Sequence, residues 1–329
     1  MSKHQEFCEE VGLFPIAVHT PFPVGPVMCY LWKGEDALTL IDTGPKMDES
    51  LNDLRRGLAE YGVAIADIER LILTHHHLDH CGLTQHILDA ADVEVWGHPD
   101  IMDQARRSDG DEEDDSRRRW YEGVLVEFGV PENEIEIAMS KWRRFSGLTD
   151  KVTIHKTLND ETEVGPFQAI HVPGHSSTDT LIRNVKDGYT IVGDHLLEKI
   201  NPNPLLRRPN GTGPREKALI EFQVSLKRSR SLDLGWCFPG HGKPFTNHYA
   251  VIDGILSQHE RKNSRILKWM KHHDLTPYEL SMKLYPSMGL SMLYLGLSVA
   301  VGQLEVLEES GEIESCHRDG ILTYTRSGK

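Results

Sequence analysis

The sequence predicts an α/β fold in which short buried strands end in polar loops and helices connect them. Two apolar runs, residues 68–73 and 167–172, have the length of buried strands, and a histidine follows each within three residues. Residues 47–61 instead carry leucines at helical spacing on one face. The chain from residue 250 onward reads as helical, followed by a hairpin. These patterns predict a mixed core with a separate C-terminal module.

The predicted elements alternate along the chain. Strands are predicted at residues 13–19, 27–33, 37–41, 68–73, 93–96, 151–155, 167–172, 180–184 and 190–192, with a last one ending at 238. Helices are predicted at residues 47–61, 83–90, 131–145 and 214–231, and another begins near 116. Between about 99 and 150 strands stop and charge density rises, which predicts a helical insertion with an acidic loop at 109–115.

Residues 74–80, THHHLDH, carry four histidines and a carboxylate directly after the strand at 68–73. The spacing H-x-H-x-D-H picks out His75, His77, Asp79 and His80. Neutral imidazoles and a carboxylate suit zinc, or manganese or iron if those are supplied instead. The alternative is a polar helix start capped by Asp79, which leaves the clustered imidazoles without a purpose. The motif therefore predicts a metal site at the end of a strand.

Three later segments repeat this arrangement of a His or Asp beside Gly or Pro at the end of an apolar run. They are residues 172–176 (VPGHS), 191–195 (IVGDH) and 238–242 (FPGHG). In this order and spacing, the four motifs resemble those of the metallo-β-lactamase superfamily, in particular its glyoxalase II-like hydrolases. The resemblance runs from Leu13 to about His248.

The resemblance implies a four-layer αββα sandwich. It would span residues 1–249, with the helical insertion at about 99–150, and a winged-helix-like module would follow at 250–329. It also implies two divalent metal ions, expected to be zinc, with iron or manganese as alternatives. His75, His77 and His175 match the ligands of the first metal, Asp79, His80 and His241 those of the second, and Asp194 the bridging carboxylate. No ligand position is missing, so the resemblance predicts a catalytically active member of the family.

Asp42 follows a predicted strand in the turn Asp-Thr-Gly, which in the family braces the histidine loop from beneath. This makes Asp42 a candidate for orienting the ligands, against the alternative of a plain Asx turn. The two metals would hold a bridging hydroxide as the nucleophile. Asp79 and Asp194 are the predicted catalytic carboxylates, with Asp79 also passing a proton to the leaving group. The predicted reaction is hydrolysis of an ester-type bond.

A thioester of the glutathione or acyl-CoA type is the favoured substrate, with a lactone or a phosphodiester, including RNA, as alternatives. Arg207 and Arg208 lie in a Pro/Gly-rich stretch at 201–213 that reads as a rim loop or a solvated one. His195, next to Asp194, is a candidate for facing the pocket or for a structural role. Trp120, with three other aromatic residues of the insertion, is a candidate for a lid or a helical core.

Composition limits the partners. The formal net charge of -14 argues against binding polyanions, because phosphate binding depends on Lys and Arg. Five scattered cysteines without a CxxC pair predict reduced thiols in the cytoplasm. The N-terminus lacks an apolar signal-peptide core, and no later run is long enough for a membrane span. We therefore expect a small acyl or ester substrate, with no nucleic acid and no membrane.

The C-terminal module is predicted to contain three helices and a β-hairpin, the order of a winged helix. Its third helix has no Lys or Arg between residues 289 and 310. Because DNA recognition relies on basic residues, we expect a packing, lid or dimer element. A homodimer and a metal-sensing, DNA-binding regulator are the alternatives that this module leaves open.

Overall fold

The computed structural model describes residues 2–105, 112–209 and 214–328. The chain divides into two compact units. Unit 1 comprises Met1–Ser108, Gly147–Pro202 and Lys227–Val251. Unit 2 comprises Asp109–Ser146, Asn203–Leu226 and Ile252–Lys329. This partition groups most of the expected insertion, and part of the stretch before residue 249, with the C-terminal residues rather than with the metal-motif domain.

Unit 1 contains two sheets. The first has six strands in sequence order: β1 Leu13–Val18, β2 Val27–Lys33, β3 Leu38–Ile41, β4 Arg70–Ile72, β5 Glu94–Gly97 and β6 Lys156–Thr157. The second comprises β7 Glu163–Val164, β8 Phe167–His171, β9 Thr180–Asn184, β10 Tyr189–Gly193 and β11 Trp236–Pro239. The first sheet is antiparallel up to β3 and parallel from there to β6. The second runs β11-β10-β9-β8-β7, with only β10 and β11 parallel.

The two sheets face each other across an aromatic core that includes Tyr30, Trp32, Phe167 and Phe238. The helices of unit 1 are α1 Lys3–Val11, α2 Asp48–Glu60, α3 Leu78–Cys81, α4 Thr84–Ala90 and α5 Ile101–Gln104. Helices α2 and α4 bury leucine and isoleucine side chains in a second cluster, on the other face of the first sheet. Beside the second sheet, Arg228 donates a hydrogen bond to the carbonyl of His171 at the end of β8 (2.9 Å). The two facing sheets of the expected sandwich, and a helical layer on the first of them, are therefore present.

Unit 2 is built around one apolar helix. Its elements are α6 Glu112–Glu127, α7 Glu132–Ser146, most of α8 Ala218–Arg230, most of α9 His248–Trp269, α10 Pro277–Leu284, α11 Leu293–Glu309, β12 Ile313–Arg318 and β13 Ile321–Arg326. Leu297 and Val301 of α11 pack with residues of α6, whereas Ala300 and Leu304 pack with residues of α9 and the hairpin. Burial from both sides explains why this stretch carries no Lys or Arg.

Several predicted elements are confirmed, including the strand Thr180–Asn184, the helix α2 and the C-terminal hairpin. The capping box at Thr276 is also present, since its hydroxyl accepts from the Glu279 amide (3.1 Å). The strand predicted at 151–155 is wrong, because β6 comprises only Lys156–Thr157 and residues 151–155 form no strand. The helix α1 was not predicted, since its polar sequence lacks a clear apolar stripe.

The insertion differs from its prediction in two ways. Part of the predicted acidic loop is helical, because α6 already begins at Glu112, and residues 109–111 lie outside the described part of the chain. Trp120 and Tyr121, two of the four lid candidates, pack in the core of unit 2. The side chains of Trp142 and Phe145 lie outside the described residues. No helix within the described ranges is long and apolar enough to span a membrane.

Candidate metal centre

The centre begins where two neighbouring parallel strands end. Ile41 of β3 is in register with Ile72 of β4, so the loops after the two strands leave side by side. Asp42 has a left-handed backbone (φ 61°), a conformation that Asp and Asn adopt more readily than most residues. Its carboxylate accepts hydrogen bonds from the backbone N–H of Thr74 (2.9 Å) and from the Thr74 hydroxyl (2.7 Å). Asp42 therefore holds the start of the histidine loop.

Asp42 also determines which imidazole nitrogens face the centre. His80 Nδ1–H donates to the Asp42 carboxylate (2.8 Å), so in the neutral imidazole Nε2 carries the lone pair. The Thr74 hydroxyl donates its hydrogen to Asp42, so it accepts a hydrogen bond from His75 Nδ1–H (3.1 Å). His75 Nε2 is thereby left as a lone pair, 3.1 Å from His77 Nδ1. Two imidazole nitrogens facing each other at this distance suit a shared cation.

The opposite side comes from the second sheet. His175 follows β8, Asp194 follows β10 and His241 follows β11. His241 Nδ1–H donates to the carbonyl of Pro26 (2.9 Å), and its Nε2 lies 3.3 Å from an Asp79 oxygen. The Asp194 oxygens lie 3.5 Å from His80 Nε2, 3.5 Å from His175 Nε2 and 3.6 Å from His241 Nε2. Asp194 thus stands between residues of both sheets.

All seven predicted ligands meet at this one place. Within each of three groups, one ligand atom per residue lies within 4.8 Å of the others: His75 with His77 and His175; His75 with His80 and Asp194; Asp79 with His80 and His241. The first group is purely imidazole, the last contains a carboxylate, and the middle one includes Asp194. The middle group shares His75 with the first group and His80 with the last, so the three groups form one continuous cluster.

The backbone leaves room for this cluster at Gly240. A Cβ there would lie 2.3 Å from an Asp194 oxygen and 2.6 Å from the ring of His80. A similar constraint acts at Gly193, whose φ is 48°. A Cβ added there would lie 3.1 Å from the Thr74 side chain, so both the backbone and the space disfavour a side chain. Glycine at these positions lets the ends of β10 and β11 approach the histidine loop.

We call the group of His75, His77 and His175 the all-imidazole half of the centre, and the group of Asp79, His80 and His241 the carboxylate-containing half. The protonation of the histidines differs between these two halves in the metal-free chain. Burial, reinforced by the neighbouring imidazoles, lowers the pKa of His75 and His77 well below the usual range. Burial also opposes protonation of His80 and His241, but adjacent carboxylates outweigh it, and the pKa of both is raised. Burial would raise the pKa of Asp194, but His241, His80 and His175 lower it instead. Asp194 is therefore ionised, as a metal ligand must be.

The donor set fits divalent metals. His80 Nε2, His241 Nε2 and Asp194 Oδ1 are buried and make no hydrogen bond within the described residues. Leaving such groups unsatisfied is costly, so a bound cation is their natural partner. Nitrogen and carboxylate oxygen donors suit zinc, iron and manganese, and the centre offers no thiolate. Cys81, beside His80, instead points its Sγ at the carbonyl of His76 (3.3 Å).

The three candidates for substrate contact have different environments. Arg207 is buried in unit 2 and forms ion pairs with Glu216 (2.9 Å) and Glu221. Arg208 is exposed, and residues 210–213 of the same stretch lie outside the described chain. His195 is buried with its Nε2 2.8 Å from the Ser229 hydroxyl, and burial lowers its pKa to about 3. Arg207 and His195 are thus engaged with protein partners.

Sequence reasoning did not assign the roles of Thr74 and Thr178. The signal for Thr74 was its place between the strand and the first ligand. Thr178, three residues after His175, has its hydroxyl 3.1 Å from the backbone N of His76, a contact that no local pattern reveals.

Comparison with known proteins supports the same fold and the same family. A family model for the metallo-beta-lactamase superfamily matches residues 22–241. The probable metallo-hydrolase YqjP of Bacillus subtilis (strain 168) is 33% identical over 319 residues, covering 95% of this chain and 97% of that protein. A metallo-beta-lactamase family protein from Thermus thermophilus superposes with a TM-score of 0.81 at 25% identity, over 96% of this chain and 98% of the other. A beta-lactamase domain protein from Burkholderia ambifaria shares the fold (TM-score 0.80, 18% identity, 96% and 92% covered).

Buried imidazoles and carboxylates converging at the strand ends of this α/β fold define a metal-dependent hydrolase. The chain belongs to the metallo-β-lactamase superfamily.

Proposed function

We propose that the seven converging residues hold two divalent ions, with zinc as the expected metal, and that the protein hydrolyses a thioester. The observation that carries the proposal is the set of three ligand groups, which are joined by His75 and His80 and include Asp194 in the middle group. Such a pair of ions supplies an activated water and polarises the oxygen of the bond to be cleaved. Iron and manganese use the same donors, so elemental analysis decides between the metals.

The chain's own residues then have distinct tasks. Asp194 neutralises the positive charge of both halves, because its oxygens lie within 3.6 Å of histidines from each. Asp79 is buried and has an oxygen 3.3 Å from His241, so its carboxylate borders the centre. In that place Asp79 can accept a proton from water and return it to the leaving group. Asp42 keeps His80 and, through Thr74, His75 in the required tautomers.

The thioester class rests on the resemblance of the four motifs to glyoxalase II-like hydrolases. The argument from an arginine-bearing rim is weaker than expected, because Arg207 is already paired with two glutamates. A thioester nevertheless suits such a centre, since its carbonyl oxygen is of the kind that a metal pair would polarise. The proposed substrate is therefore a small acyl thioester of the glutathione or acyl-CoA type.

A hydrolysis screen with protein of measured metal content tests this proposal. We would compare a glutathione thioester, an acyl-CoA, a lactone and a phosphodiester at matched concentrations. Loss of thioester absorbance reports the first two directly, and chromatographic separation of the products reports the other two. Direct detection matters because Cys316 is the only cysteine that is not buried and would react with thiol reagents. Turnover of thioesters well above the other classes is expected. Turnover of the lactone or phosphodiester alone would contradict the thioester assignment.

The matched control is His259→Gln, which alters a buried histidine of unit 2 outside the centre. It should keep parent turnover, whereas His75→Gln should lose both metal and turnover. If the parent protein takes up no zinc, iron or manganese, the whole proposal fails.

We further propose that the protein acts on its small substrate without nucleic acid, in the cytoplasm, and that residues 250–329 serve packing. The supporting observation is that α11 is buried within unit 2 rather than exposed as a basic recognition helix. A polarisation assay with mixed duplex DNA tests this. Salt-sensitive binding that disappears when residues 250–329 are removed would favour the winged-helix regulator. Sedimentation of the full chain would show whether it is a homodimer.

A further inference from the structure

The histidine loop contains one imidazole that the proposed metal centre does not use. His76 lies between the ligands His75 and His77, and none of the three ligand groups includes it. Its backbone N–H donates to the hydroxyl of Thr178 (3.1 Å), and its Nδ1 lies 2.9 Å from the same oxygen. Thr178 is fully buried and belongs to the loop that carries His175. One hydroxyl thus joins the two loops that supply the all-imidazole half.

A chain of hydrogen bonds fixes the orientation of this hydroxyl. The buried carboxylate of Asp179 accepts from the backbone N–H of Ser176 (2.8 Å) and from its hydroxyl (2.6 Å). Ser176 Oγ in turn accepts from the Thr178 backbone N–H (3.2 Å). With the Ser176 hydrogen committed to Asp179, the Thr178 hydroxyl has two acceptors in reach, Ser176 Oγ at 3.4 Å and His76 Nδ1 at 2.9 Å, and the shorter contact assigns its hydrogen to His76. Every donor in the chain therefore has an acceptor, from Asp179 to His76.

The same two loops are joined only at their bases by the main chain. The Thr180 N–H donates to the carbonyl of Thr74 (2.9 Å). Thr74 precedes the ligands of the histidine loop, and Thr180 follows His175 in the other loop. The contact between Thr178 and His76 lies nearer to the ligands themselves. It can therefore set the separation between His175 and the pair His75 and His77, which come from different sheets.

We propose that Thr178 is a positioning residue for the all-imidazole half of the centre, with His76 as its partner. The inference rests on the proposed metal centre. Loss of the hydroxyl should let the His175 loop drift from the histidine loop and weaken metal binding in that half. The other half, Asp79, His80 and His241, takes its support from Asp42 and Pro26 and should be little affected.

The test uses full-length metal-free protein titrated with Zn²⁺ by calorimetry, with the side-chain ¹⁵N resonances of His175 and His241 reporting which half is filled. Thr178→Val keeps the shape and removes the hydroxyl. We expect one zinc to bind as in the parent and the other about 10–100-fold more weakly, as is typical when a residue supporting a ligand is lost. The His241 resonance should then shift at zinc concentrations that leave His175 unchanged. Thr178→Ser, which restores the hydroxyl, should return the parent pattern.

The matched control is Thr190→Val in β10. Its hydroxyl is equally buried and donates to the carbonyl of Leu234 (2.9 Å), away from the ligand loops. This variant should lower the melting temperature without changing zinc binding. If Thr178→Val does not fold, Ser176→Ala breaks the same chain one step earlier and should also weaken the His175 half selectively.

Parent-like binding of both zinc ions in Thr178→Val, equal loss from both halves, or failure of Thr178→Ser to restore binding would overturn the inference. So would a Thr190→Val variant with the same selective loss, or a folded Ser176→Ala variant with parent-like binding. A parent protein that binds no zinc would overturn the proposed metal centre, and this inference with it.

Discussion

The two halves of the centre are both buried, yet their histidines have opposite electrostatic properties. In the half formed by His75, His77 and His175, imidazoles face one another, and burial lowers the pKa of His75 and His77. In the half formed by Asp79, His80 and His241, carboxylates outweigh burial and raise the pKa of both histidines. Burial alone therefore does not determine how an imidazole behaves. The neighbouring groups decide whether the pKa of a buried histidine is lowered, as beside other imidazoles, or raised, as beside a carboxylate.

Removing the carboxylate common to both halves should have the largest effect. Asp194→Asn takes away the negative charge that lies between histidines of each half, so two cations would repel without compensation. We expect metal content to fall from about two ions per chain to one or fewer, and turnover to be lost with it. Elemental analysis and turnover on one preparation provide the measurement. Full metal content in this variant would contradict the shared role.

Asp79→Asn should separate metal binding from proton transfer. The amide keeps a carbonyl oxygen for the metal but cannot accept a proton, and loss of general acid–base help costs about 10²–10⁴-fold in turnover. The variant should retain more metal than Asp194→Asn while losing that activity. Activity per bound metal pair is the quantity to measure. If it equals that of the parent, Asp79 is an ordinary ligand.

Asp42→Asn should weaken the carboxylate-containing half more than the imidazole half. Asp42 contacts His80 directly but reaches His75 only through Thr74. Asn tolerates the left-handed backbone, so the change acts on hydrogen bonding, and we expect about a 10–100-fold loss of metal affinity. Zinc titration, followed through the side-chain ¹⁵N resonances of His241 and His175, measures this loss. The half that is weakened should be the opposite of the one weakened in Thr178→Val. Asp67→Asn, an exposed turn aspartate that accepts from the Ala64 amide (2.7 Å), is the control. Selective loss from the His175 half would contradict this assignment.

His259 provides a reference for burial without a carboxylate, and the smallest expected effect. It is buried in unit 2, and burial, with a contribution from Lys262, lowers its pKa to about 4. Because the unfolded chain takes up this proton first, stability is lost as pH falls from about 6.5 to 4, by at most about 3 kcal/mol. Denaturant unfolding of parent and His259→Gln at several pH values should show a flatter dependence in the variant. Identical pH profiles would contradict this origin.

Much of the fold was predictable because it depends on local patterns. The apolar runs around residues 167–172 and 180–184 and the leucine stripe of α2 show their strand or helix period directly. The two-residue strands β6 and β7 have little pattern of their own, since neighbouring strands define them. The grouping of residues 109–146 and 203–226 with the C-terminal helices likewise depends on long-range packing, which the chain order conceals.

The same division applies to the centre. The H-x-H-x-D-H spacing identified four of the seven candidate ligands, because the chemistry of an imidazole or a carboxylate belongs to the single residue and its motif. The resemblance of the later motifs to the family supplied the other three. Only the tertiary structure decided which nitrogen His80 and His241 present, since the partner of the other nitrogen comes from far away along the chain. Asp42 lies 38 residues from His80, and Pro26 lies 215 residues from His241. A hydrogen bond that fixes a tautomer acts over about 3 Å in space, whatever the separation in sequence.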